Sequence, residues 1–209
     1  VMHPSDCELG QNARVAGLTD AGAEDRFSHQ RTMEWMEAKR LRSNDATSVY
    51  YNEVLGQFEM YSVWLLPCDP ETHRYTPHDN APSVLRTIHR RTSADGMAWS
   101  DPEMLMPADE HDPMHQEFYY LSLEPLGEWN LGMLGNYRCW EQTMDLELCF
   151  SRDRRHWTRP LRGGWIPHGD SDEIDYWSIY STNRLMDMGD HWRLLYRGGN
   201  FRHNHTLPE

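Results

Sequence analysis

From residue 45 onward the chain is built of short runs of alternating polar and apolar residues, closed by Gly, Pro, Asn and Asp. In "DATSVYYNEVLGQFEMYSVWLL", Asp45 leads into Val49, Tyr50 and Tyr51; a Gly-containing turn follows, and Phe58, Met60 and Val63 continue beyond it. "EFYYLSLEPLGEWNLGMLGNY" from Glu117 and "DYWSIYSTNRLMDMGDHWRLLYRGG" from Asp175 repeat the plan of strand, loop with Gly, strand. Period-two alternation rich in Tyr, Trp, Ile, Leu and Val predicts antiparallel hairpins. A third strand is predicted after each of the first two hairpins, in "SVLRTIHRRTS" from Ser83 and "DLELCFSRD" from Asp145. An irregular fourth follows near "EMLMP" and "GGWIP". Residues 1–44 read as an extension, partly irregular or helical. Within it, residues 24–42 carry the helical periodicity, although Phe27, Met33, Met36 and Leu41 do not hold one clean stripe.

The repeat has an internal ruler. "SADGMAW" and "SRDRRHW" both fit Ser-x-Asp-x-x-x-Trp, with Ser93, Asp95 and Trp99 matched by Ser151, Asp153 and Trp157 at an offset of 58 residues. The same offset carries Glu117 onto Asp175, so the acid followed by two aromatics recurs in step. Four strands per unit in sequence order is a propeller blade. A Ser or Asp side chain can bond the backbone N–H groups of its own tight turn. The Trp can then fold back to bury its ring with the indole N–H near a polar rim. The turn is therefore read as structural punctuation.

Composition narrows the function classes. With 33 Asp+Glu against 20 Lys+Arg the net charge is -13, which repels nucleic-acid phosphates and anionic membranes, and no basic run reverses it. No apolar stretch is long enough to span a bilayer, and the N-terminus lacks a charged-then-apolar leader. The chain starts at Val1, so the compartment stays open. Nine Trp, 10 Tyr and 5 Phe supply a substantial core. Cys7, Cys68, Cys139 and Cys149 form no CxxC pair and read as reduced thiols.

The order and spacing of "DATSVYY", "RTIHRR", "SADGMAWSDP", "EFYY", "DLELCFSRD", "GWIPHG" and "IDYWSIYS" with "LLYRGGNFRH" resemble the five-bladed propellers of the glycoside hydrolase family 32 and 43 superfamily, in particular uncharacterised glycosidases related to it. The likeness covers about residues 45 to 205. It implies an all-β propeller of four-stranded antiparallel blades in residues 45–209. At about 58 residues per blade, five blades need roughly 290 residues. This stretch holds two blades and part of a third, so the expectation is an incomplete gene product, a chain whose missing blades lie elsewhere, or a homo-oligomer that covers the open edges.

The inner strand of each blade lines the propeller axis, so Asp45, Glu117 and Asp175, which begin the inner strands, converge at one mouth. Two carboxyl groups flanking a sugar bond are what glycoside hydrolysis requires. The resemblance implies Asp45 as base or nucleophile, Glu117 as acid and Asp175 as supporting carboxylate. Trp177 and Tyr119 are candidate platforms for a carbohydrate. The resemblance also places His203 near the axis, and Arg90 is a further candidate contact, one that pairing with acids would occupy. No residue is assigned as a metal ligand. Asp109, His111, Asp112 and His115, or His203 and His205, are the places where a divalent cation such as calcium would find donors. The alternatives are a non-catalytic carbohydrate-binding propeller and a sialidase-like enzyme, whose turn carries one more residue between Asp and Gly than "SADG" does.

Overall fold

The computed structural model describes residues 46–67, 84–181 and 184–203. Asp45, Cys7, Cys68, His205 and the stretch expected to be helical lie outside them. The described residues are all-β, in a four-stranded, a five-stranded and a two-stranded sheet with no closed barrel.

The first sheet is β1 (Thr47–Asn52), β2 (Gln57–Pro67), β3 (Val84–Ser93) and β4 (Glu103–Met106), antiparallel and in sequence order. Gly56, at a φ of 62°, supplies the left-handed residue that closes the first hairpin. Tyr61, Val63 and Ile88 point to one face and pack with Tyr50 and Met106. The second unit is β5 (Gln116–Leu126), β6 (Trp129–Arg138) and β7 (Thr143–Ser151), again antiparallel neighbours. Its expected fourth strand is reduced to two isolated bridges, Leu146 to Ile166 and Phe150 to Thr158.

The second unit is covered on both faces, which is how blades stack. Phe118, Leu121, Leu123, Leu134 and Cys149 meet the first sheet's apolar face. Tyr119, Tyr120, Met133, Tyr137, Met144 and Leu146 meet Ile179, Tyr180 and Leu194 from the chain beyond. A register shift between Phe118 and Tyr120 makes this division. The extra residue of the bulge, Tyr119, reverses the alternation, so Tyr119 and Tyr120 share a face opposite Phe118.

The third unit is fragmentary: β8 (Ser178–Ser181) pairs antiparallel with β11 (Tyr196–Gly199). "HWRLL" contributes instead to a small hairpin of β9 (Met186–Asp187) and β10 (Trp192–Arg193). One parallel bridge, Met144 to Ser178, joins β8 to β7, so the second and third units share one sheet.

Both Ser-x-Asp turns fold alike. Ser93 Oγ accepts from the N–H of Asp95 and Gly96, and Asp95 Oδ1 accepts from Met97 and Ala98. Ser151 Oγ accepts from Arg154 N–H, and Asp153 Oδ1 from Arg155 and His156. These N–H groups hold both Asp carboxyls below the usual carboxylate range. The fourth residue of each turn is left-handed, Gly96 at a φ of 75° and Arg154 at 60°. Trp157 packs against the core shared by the first two units, and its indole N–H donates to Arg154 O at 3.3 Å.

A polar lock joins the first two units. Glu59, fully buried on β2, accepts from Arg90 at 2.5 Å and from Arg154 at 2.8 Å. Burial alone would raise the Glu59 carboxyl, but the hydrogen bonds from Arg154 and Arg90 outweigh it and the net shift is downward. Arg154 also donates to Asn130 Oδ1, which anchors the turn at the head of β6.

Candidate functional site

The starts of β5 and β7 and the end of β6 meet at one end of the second unit, where Gln116 pairs with Arg138 and Arg138 with Thr143. Arg86, near the start of β3, reaches across from the first unit. Its guanidinium donates to Glu117 Oε2 at 2.6 Å, with the side chains 0% and 1% exposed. It also lies over the Tyr119 and Tyr137 rings, at 5.4 and 5.2 Å from their centres.

Tyr119 connects this pair to the third unit. Its hydroxyl is 3.0 Å from His203 Nε2, and the Tyr180 hydroxyl is 2.9 Å from His203 Nδ1. A neutral imidazole donates from one nitrogen and accepts at the other, so in that form one tyrosine hydroxyl donates a hydrogen bond to the ring and the other accepts one. His203 is fixed further by its own N–H, which donates to Gln142 O at 2.9 Å. Gln142 is a buried residue at a φ of 63°. Its amide nitrogen donates to Tyr137 Oη at 2.8 Å and to Cys139 O at 2.7 Å, holding the turn between β6 and β7 in this shape.

A second group forms around Asp175, which is buried just ahead of β8 and accepts from the Tyr196 hydroxyl at 2.7 Å. That bond raises the tyrosine's pKa. Gly198 and Gly169 leave the room: a Cβ on Gly198 would come within 2.8 Å of Asp175 Cβ. His168 feels the charges of both Asp145 and Asp175, yet burial outweighs them and lowers its imidazole pKa. Asp145 pairs with Arg138 through Oδ2. Its Oδ1 and His168 Nε2 are buried without a hydrogen-bond partner among the described residues. Trp177 N–H bonds Gly199 O, its carbonyl accepts from Met144, and its ring lies under Arg202 at 4.8 Å.

Of the residues singled out in the sequence, Glu117, Tyr119 and His203 thus form one connected group. Asp175 and Trp177 sit on the adjoining segment. Arg90 belongs elsewhere, bonded to Glu59 and Glu103 of its own blade. The acidic loop is occupied by arginines: Arg159 bonds Asp112 and Glu147, and Arg162 bonds Asp109. Hydrogen bonding from Arg162 lowers the Asp109 pKa to about 2. His115 Nε2 pairs with Glu141 at 3.1 Å. Among the described residues no three His, Cys, Asp or Glu side chains are grouped to hold a metal ion. Arg86, Asp145 and His168 were not singled out from the sequence. A propeller register pointed to strand starts, but it carries no signal for a partner 31 residues away.

No protein-family model matches the sequence, and comparison with curated proteins finds no match. Solved structures do match. An N-acetylgalactosamine deacetylase from F. plautii, in complex with blood group B trisaccharide, is similar at a TM-score of 0.54 and 15% identity, over 73% of this chain and 40% of that one. A family 117 glycoside hydrolase from the marine bacterium Zobellia galactanivorans is similar at 0.52 and 16% identity, over 74% of this chain and 51% of that one. This chain spans about half or less of the length of either. What it shares with them is the fold, an all-β propeller-like arrangement of antiparallel sheets.

Proposed function

We propose that the chain contributes to a carbohydrate-active propeller of the five-bladed kind found in glycoside hydrolase families 32 and 43. Its substrate would lie at the mouth where the inner strands begin. The observation that carries this reading is the His203 bridge: Tyr119 from β5 and Tyr180 from β8 bind the two nitrogens of one imidazole, so two inner strands approach at a single end. The two solved structures described above are, by name, proteins that act on sugars, which supports a carbohydrate as the ligand class.

In the proposed reaction one carboxyl protonates the glycosidic oxygen while a second, ionised, activates water or attacks the anomeric carbon. Asp45, two residues ahead of β1, takes the base or nucleophile role. Glu117 takes the acid role. Arg86 reaches this carboxyl at Oε2. Asp175, held by Tyr196, orients the sugar or tunes its neighbours. The near-complete burial of Glu117 against Arg86 favours a second reading, a non-catalytic carbohydrate-binding propeller in which this pair is purely structural.

A panel of nitrophenyl furanosides and pyranosides, assayed with the wild type, Asp45→Asn and Asp175→Asn, tests this. Hydrolysis that falls at least 100-fold in Asp45→Asn supports the mechanism. Activity unchanged in both variants removes these carboxylates from it, and hydrolysis of no substrate favours the binding module.

A further inference from the structure

The turn between β6 and β7 presents Trp140 to solvent at the same end as Glu117, and its construction goes beyond closing a hairpin. Trp140 is 41% exposed, beside the exposed Glu141, in a turn whose first and last residues, Cys139 and Gln142, are fully buried. His115, two residues before Glu117, stacks on the indole at 4.9 Å with the planes 16° apart. His115 is fixed in turn by Glu141 at 3.1 Å, and its carbonyl accepts from Cys139 N–H at 3.0 Å. The left-handed Gln142 carries a conformational cost that its two side-chain hydrogen bonds offset. Gln142 also receives the N–H of His203, so the same turn sets both the indole and the imidazole of the tyrosine bridge.

A tryptophan whose ring is fixed on one face and open beside a polar mouth is a preorganised surface. Its flat apolar face suits the C–H face of a pyranose ring, while Glu141 at its edge offers an acceptor for sugar hydroxyls. We propose that Trp140, backed by His115 and flanked by Glu141, is a sugar-stacking subsite for an oligosaccharide or polysaccharide entering the mouth. This rests on the carbohydrate reading above and adds the subsite to it.

The fold supplies an internal control. Trp129, at the opposite end of β6, is 44% exposed and carries Arg152 over its ring at 4.4 Å. A merely adhesive exposed indole would act the same at either end. The test is affinity electrophoresis of the intact chain through gels carrying a panel of soluble neutral and acidic polysaccharides, with wild type, Trp140→Ala, Trp140→Tyr and Trp129→Ala. The expected result is retardation of the wild type by at least one polysaccharide, an apparent Kd at least tenfold weaker in Trp140→Ala, partial recovery in Trp140→Tyr, and no change in Trp129→Ala. Near-UV circular dichroism shows that each variant is folded. Retardation of Trp140→Ala equal to wild type overturns the subsite and leaves the carbohydrate reading standing. Equal loss in both alanine variants overturns it as non-specific adhesion. Retardation of no variant by any polysaccharide overturns both.

Discussion

Neutralising Glu117 isolates what the Arg86 pair contributes to the fold. In Glu117→Gln the guanidinium remains, 0% exposed, and loses the carboxylate that Glu117 gives it. Removing one partner of a buried ion pair costs about 3–5 kcal/mol, because a charge is left uncompensated away from water. Two features place this case near the lower bound. The glutamine carbonyl still accepts a hydrogen bond, and the Tyr119 and Tyr137 rings continue to face the cation. About 3 kcal/mol in a chain of this size corresponds to a fall in Tm of roughly 6–12 °C. Thermal melts and urea titrations followed by circular dichroism measure it. The informative companion is Arg86→Met combined with Glu117→Gln, which removes both charges. The double variant is expected to recover at least half of the loss, so that its cost falls well below the sum of the two single variants. A single-variant cost below about 1 kcal/mol, or a double variant whose loss equals the sum of its parts, would refute a buried, coupled pair.

Three other outcomes are expected. Gly135→Ala puts a Cβ within 2.6 Å of Tyr120 Cδ1 and must push away a ring whose hydroxyl donates to Ile179 O and accepts from Ser181 N–H; a loss of about 2–3 kcal/mol in urea unfolding is expected, and a wild-type midpoint would contradict the packing. Arg154→Gly relieves a left-handed φ worth about 1 kcal/mol but forfeits a charged hydrogen bond to buried Glu59 worth about 1.5–3 kcal/mol, for a net loss near 1 kcal/mol; a stabilised variant would show that strain outweighs the link. The Glu59, Asp112 and Asp109 carboxyls are all lowered by their arginine partners. Their contribution is complete above the unfolded carboxylate pKa of about 4 and is lost as pH falls toward the folded values. The urea midpoint should therefore drop between about pH 4.5 and pH 3, and a flat profile there would show that these pairs contribute nothing.

The hairpins were legible because their cause is local. Alternation around Gly56 marks β1 and β2, and the Ser-x-Asp turns close on their own N–H groups without help from the rest of the chain. The third unit was legible only in part. The plan of strand, loop, strand holds for Ser178 to Ser181 and "YRGG", but Asp175 to Trp177 lie ahead of the strand and "HWRLL" formed no long one, since Trp192 and Arg193 pair in a two-residue hairpin instead. The parallel bridge from Met144 to Ser178 leaves no pattern in sequence, because one bridge imposes no periodicity. The site divides along the same line. Register located Glu117 at the start of β5 and Asp175 a few residues ahead of β8. It could not foresee that Arg86 would cover the first, or that a bulge would turn Tyr119 toward His203. Both are settled by contacts between units, where volume and charge must match across tens of residues.

The fourth position of the Ser-x-Asp turn has a consequence for how such units can be assembled. The turn's shape is fixed by Ser and Asp, leaving that residue free of any local duty except to tolerate a left-handed φ. Gly96 leaves it silent, with only the Phe58 ring nearby. Arg154 uses it to reach a carboxylate on the preceding unit 95 residues back. The two turns are therefore not interchangeable parts. One is a blank and the other an address, and an array of these units carries its own order: a unit bearing the arginine gains a contact behind one that buries an acid at the place of Glu59.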